Sequence, residues 1–96
     1  MKNKHTVFIG ALEYTISYES DLVHQGLDGK ITHCEGSIRL RPNMNPAFER
    51  VILWHEIIHA ILTNAAMDEQ DERMIIVLAH GVAQVIGDNT FLGINP

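Results

Sequence analysis

The chain has 96 residues, 46% of them hydrophobic and 20% charged, with a formal charge of -5 at neutral pH. That length and mix describe one globular domain with a single core, residues 1–96. The seven Lys and Arg residues are scattered, whereas phosphate-rich partners require clustered cations, so nucleic acid and anionic membrane are excluded as main partners.

One cysteine, Cys34, leaves no internal disulfide and suits a reducing compartment. No stretch approaches the roughly 20 apolar residues that span a bilayer. The apolar run after the lysines of "MKNKHTVFIG" is too short for a signal peptide. The expectation is a soluble, cytoplasmic protein.

In chain order, the first forty residues read as strands. "VFIG" is a short strand, or the first half of a longer one broken at Gly10. "EYTISYES" alternates, with Tyr14, Ile16 and Tyr18 on one side and Thr15 and Ser17 on the other, which is the pattern of a half-buried strand. "LDGK" supplies an Asp-Gly turn, and "KITHC" and "SIRLR" follow as short strands joined at Glu35-Gly36. A small antiparallel meander of about three strands accounts for these signals.

The second half reads as two long helices, making the fold class α+β. Asn45 can cap the first helix and Pro46 can take its first position, where a missing N–H costs nothing. This helix runs to about Ala66 and is apolar nearly all round, which implies burial against both the sheet and a second helix. In "MDEQDER", Asp68 is expected to cap the second helix, with Glu69 and Asp71 in its first turn near the positive end of the dipole. The helix continues through "MIIVLAHGVAQVI" and is expected to stop at Gly87. The tail "DNTFLGINP" carries no regular signal.

Within the first helix, "VILWHEIIHAIL" places His55 and His59 four residues apart with Glu56 between them. Residues at that spacing share a helix face one turn apart, so two imidazoles converge on one point. Their neighbours are apolar and offer no partners, and a buried carboxylate is costly unless paired. A Zn²⁺ ion answers both needs, because it favours nitrogen ligands in tetrahedral geometry. Glu56, rotated about 100° from His55, flanks the metal and can act as general base toward a water held there.

A catalytic zinc keeps three protein ligands and an open position, so a third ligand is required. The candidates are Glu69, Glu72 and His80. On a helical wheel Ile76, Ala79, Ala83 and Ile86 fall within about 40° of Glu72, which puts that carboxylate on the inward stripe, where it needs a cation. His80 falls beside Arg73 and Gln84 on the polar flank and is the runner-up. Cys34 and His33, adjacent on a strand, point to opposite faces and do not form a second metal site. Trp54 is expected in the core.

"WHEIIHAI" on a buried helix followed by "DERMIIVLAHGVAQVIGDN" on a second resembles the gluzincin-type metallopeptidases. The likeness is greatest to small phage and bacterial proteins related to the ImmA/IrrE family and to minimal gluzincins, with "LEYTISYES" and "DGKITHCEGSIRL" fitting the lead-in. The resemblance implies a minimal zincin-like domain with zinc on His55, His59 and Glu72, and Glu56 as base. It also implies peptide-bond hydrolysis of a protein or peptide substrate laid along an edge strand beside the helix. For the oxyanion, Tyr14, Tyr18, His24 and His33 are candidates by residue type only. The alternative expectation is a non-catalytic, zinc-stabilised protein-interaction module on the same scaffold. A latent enzyme covered by "FLGINP" is a third.

Overall fold

The computed structural model describes residues 5–89. The tail from Thr90 onward and the N-terminal lysines, with the expectations placed on them, lie outside these residues. In chain order the elements are β1 (His5–Ile9), β2 (Leu12–Tyr18), α1 (Asp21–Gln25), β3 (Gly29–Thr32), a 3-10 turn (His33–Glu35), β4 (Ser37–Leu40), α2 (Pro46–Asn64) and α3 (Glu72–Asp88).

The α+β architecture and the two long helices match expectation, but the sheet does not. It has four strands in the order β1-β2-β4-β3, with β2 and β4 parallel and the other pairs antiparallel. The three-strand antiparallel meander is thus corrected to a four-strand mixed sheet. The segment "DLVHQ", read as part of the strand region, is instead a one-turn helix whose Leu22 is fully buried. It carries the chain past the neighbouring position, so β3 forms at the edge and β4 returns between β2 and β3. The physical reason lies in burial: β4 holds the fully buried Ile38 and Leu40 and belongs at the centre, while β3 carries Lys30 and suits an edge. Gly36 makes the return possible. Its φ is +62°, and a Cβ there would lie 2.7 Å from the Glu13 carbonyl oxygen.

Register aligns the inward residues in rows across the sheet: Val7 with Tyr14, Ile16 with Ile38 and Ile38 with Ile31, and Tyr18 with Leu40. These rows pack on Ile57 and Ala60 of α2. The other side of α2 uses Ile58 against Ile75 and Ala79 of α3, and Trp54 packs against both clusters. The two-sided burial expected of α2 is therefore present.

At its start α2 follows the sequence signals, with Asn45 Oδ1 accepting from the Ala47 and Phe48 backbone N–H groups. Its end falls two residues short of Ala66. Ala66 has a φ of +62°, and the N–H groups of Ala65, Ala66 and Met67 bond back to carbonyls of the last turn. That closure occupies the residues expected to start α3. The cap is accordingly Asp71 and not Asp68, with its Oδ1 accepting from Arg73 and Met74, and the first-turn acid is Glu72 and not Glu69 or Asp71. The helix runs one residue beyond Gly87, to Asp88.

The buried stripe of α3 is Ile75, Ala79 and Ala83, whereas Ile76, expected inside, is exposed. The opposite face, with Met74, Val77, Leu78 and Val85, is apolar and exposed. No helix among the described residues is long and apolar enough to cross a membrane.

Candidate metal centre

Because His55 and His59 stand one helical turn apart, their rings face each other, with centroids 4.9 Å apart. The first turn of α3 meets this pair end-on. Glu72 reaches both rings: its Oε2 lies 2.7 Å from His55 Nε2 and its Oε1 3.0 Å from His59 Nε2. One ligand atom from each of the three residues lies within 4.8 Å of the others, so the group can hold a metal ion. In a tetrahedral zinc site, metal–nitrogen bonds of 2.0–2.1 Å imply ligand separations of about 3.3 Å. The donor set and its spacing suit a metal ion.

Glu72 arrives in a different setting from the one expected. Its side chain is 56% exposed, so burial does not force a cation upon it. Its place follows from the Asp71 cap, which starts α3 at that residue, and from the helix phase that sets Ile75 and Ala79 against α2. The two histidine side chains are more sheltered, at 19% and 22%. His80 is absent from the group among the described residues. It lines a separate hollow with Arg50, Val51 and Gln84 between the other ends of the helices.

Glu56 is buried, the only charged residue in that class among the described residues. Burial pushes its carboxyl above the ordinary carboxylate range; the nearby His59 opposes this and the charge of Glu72 adds to it. The cover over Glu56 is the first residue of β3. A Cβ on Gly29 would lie 3.3 Å from Glu56 Oε2 and 2.7 Å from Ile52 Cγ2, so only glycine lets this edge strand pass so closely.

Two contributors escaped the sequence reading. Gly29 looked like half of an Asp-Gly turn, and its role is close approach to α2. Gln70 had no signal at all. Its Oε1 lies 2.7 Å from His59 Nδ1, and its Nε2 donates to Thr63 Oγ1 at 3.0 Å and to the Met67 carbonyl at 2.9 Å. A glutamine in a loop, eleven residues past the histidine it touches, has no periodicity to betray it.

Three of the oxyanion candidates, Tyr14, Tyr18 and His33, are engaged in other contacts. Tyr14 is 1% exposed, in the core, with its hydroxyl 3.4 Å from His33 Nδ1. Tyr18 donates its hydroxyl proton to Glu49 Oε2 at 2.5 Å, and His24 lies in the last turn of α1. Cys34 is exposed and joins no metal-ligating group among the described residues. In comparisons with known proteins, no family model, no curated protein and no solved structure matches the chain.

Proposed function

We propose that this protein is a zinc-dependent endopeptidase of the gluzincin type, with His55, His59 and Glu72 as metal ligands and Glu56 as general base. The observation that carries the reading is the convergence of His55 Nε2, His59 Nε2 and the Glu72 carboxylate at one point beside a buried glutamate. A purely structural site needs no such base. When bound there, zinc supplies Lewis acidity that brings a water proton into the neutral range.

Glu56 would take onto its carboxylate a proton from a water held there and return it to the leaving amine. Its burial excludes competing water from one side of the carboxylate. The substrate is an extended peptide or protein segment added to the free edge of β3. Support for this comes from the position of β3 at the sheet edge and from Gly29 lying over Glu56. A cytoplasmic setting suits the single, unpaired cysteine.

The engagement of Tyr14, Tyr18 and His33 elsewhere favours a second reading, a zinc-stabilised module that binds a protein partner without cutting it. Glu56→Gln separates the two. The variant keeps side-chain size and the metal ligands, so zinc should stay bound while cleavage of a responsive peptide from a degenerate pool falls about 10²–10⁴-fold. Unchanged cleavage in Glu56→Gln removes Glu56 from the mechanism. Zinc binding with no cleavage of any peptide by the wild-type protein supports the module.

A further inference from the structure

The orientation of the Gln70 side-chain amide follows from its neighbours without sight of a hydrogen atom. The Met67 carbonyl is an acceptor only, and it lies 2.9 Å from Gln70 Nε2. With the amide reversed, two acceptor oxygens would face each other at that distance. The second N–H of the amide is taken by Thr63 Oγ1 at 3.0 Å. The oxygen must therefore be the atom that faces His59 Nδ1, at 2.7 Å. An amide oxygen also only accepts, so the hydrogen in that contact sits on Nδ1. Glu72 Oε1, 3.0 Å from Nε2, is an acceptor as well, so both ring nitrogens face acceptors here. With Gln70 holding the hydrogen on Nδ1, Nε2 is the nitrogen that gives up its hydrogen and presents a lone pair to a metal ion.

We propose that Gln70 is a positioning residue for the metal centre, holding the hydrogen of His59 on Nδ1 so that Nε2 is presented as a ligand. The device is a relay of fixed polarity from the Met67 carbonyl through the Gln70 amide to the imidazole. Its anchor is rigid because the helix-closing turn sets it: Met67 N–H bonds to the Leu62 carbonyl at 3.0 Å and Ala66 N–H to the Thr63 carbonyl at 3.0 Å. The connection between α2 and α3 thus does more than join them, since it orients a ligand on one helix toward the ligand on the next. A hydrogen-bond acceptor behind a ligating histidine also raises the basicity of the nitrogen that faces the metal. His55 has no comparable side-chain acceptor on Nδ1 among the described residues and serves as the internal control.

The metal-affinity part of this inference rests on the proposed metal site, whereas the position of the hydrogen does not. The affinity test uses the whole chain in three forms: wild type, Gln70→Leu and Gln70→Glu. Gln70→Leu keeps bulk and removes the acceptor, and Gln70→Glu keeps an acceptor for Nδ1–H. In zinc titrations against a competing chelator, Gln70→Leu should bind about 10-fold or more weaker, and Gln70→Glu should recover part of that loss.

In metal-free Glu72→Ala protein, which removes the competing acceptor on Nε2, nitrogen NMR at a pH where the ring is neutral should find the His59 hydrogen on Nδ1. Adding Gln70→Leu should shift it toward Nε2, with the His55 signals unchanged. Wild-type affinity in Gln70→Leu, or a bare Nδ1 on His59 in metal-free Glu72→Ala, would each overturn the proposal. If wild-type protein binds no zinc, the metal reading falls, and the nitrogen spectrum still decides where the hydrogen is held.

Discussion

The backbone of Gly29 lies against the side chain of Glu56, so closely that a methyl group at Gly29 would stand 3.3 Å from the carboxylate and 2.7 Å from Ile52. This contact ties the edge strand to the proposed base. Gly29→Ala forces β3 away from α2 or turns Ile52 and Glu56 out of place, and overpacking of this kind costs about 1–3 kcal/mol. Urea denaturation should show that loss, and zinc affinity should stay near wild type because no ligand moves directly. Wild-type stability in Gly29→Ala would mean that the strand does not press on the helix.

Metal binding should separate Glu72 from His80. Chelator competition on single alanine variants should show losses of roughly 10–100-fold or more for His55, His59 and Glu72, since a direct ligand matters at least as much as its supporting shell. His80→Ala should bind zinc as wild type does, because His80 lies beside Arg50 and Gln84. Metal retained by Glu72→Ala and lost by His80→Ala would replace the proposed centre with a three-histidine site.

Removing the metal should also destabilise the fold. The proposed ligands come from α2 and α3, and an ion that joins them would bind the folded state and not the unfolded one. Thermal melts with and without chelator should differ for wild type and coincide for the His55→Ala, His59→Ala double variant. A wild-type melt that ignores the chelator would argue against any bound ion.

The Tyr18–Glu49 contact predicts a dependence on alkaline pH. The hydrogen bond to Glu49 raises the Tyr18 hydroxyl above its ordinary value of 10.0, with burial and the Glu49 charge adding to the shift. The folded state therefore holds this proton more tightly than the unfolded chain. The resulting stabilisation is fully present below pH 10.0 and is lost as pH rises through the higher folded-state value. Denaturation from pH 8 to 11.5 should show wild type losing its advantage over Tyr18→Phe above roughly pH 10. A gap between the two that is constant with pH would show that the bond carries no linked proton.

Ala66 should accept glycine with gain. Its φ of +62° is left-handed, a region that costs an alanine about 1 kcal/mol relative to glycine. The same substitution loosens the unfolded chain, which offsets part of the benefit. Ala66→Gly should raise the melting temperature by up to a few degrees and leave zinc affinity unchanged. A lowered melting temperature would mean that the turn is held by contacts of the alanine methyl.

Much of this molecule is written locally. Asn45-Pro46 starts α2, the alternation through Tyr14, Ile16 and Tyr18 makes β2, and the four-residue spacing of His55 and His59 sets two imidazoles on one face. Each depends only on the periodicity of one element, so the sequence alone determines it. The same holds for Glu56, whose position beside the pair follows from helix geometry.

Other features depend on which elements become neighbours. Parallel pairing of β2 with β4 arises because a one-turn helix with buried Leu22 lets β3 pass to the edge, and no alternation pattern records strand order. The α3 cap moved from Asp68 to Asp71 because the end of α2 consumed the intervening backbone groups. Glu72 meets the histidines through that phase and despite its exposure, Gln70 reaches His59 across the turn, and Gly29 meets Glu56 across the sheet–helix interface. These are contacts between residues of separate elements. Their energies come from shapes and hydrogen bonds that exist only once the chain has packed, which is why the tertiary structure decided them.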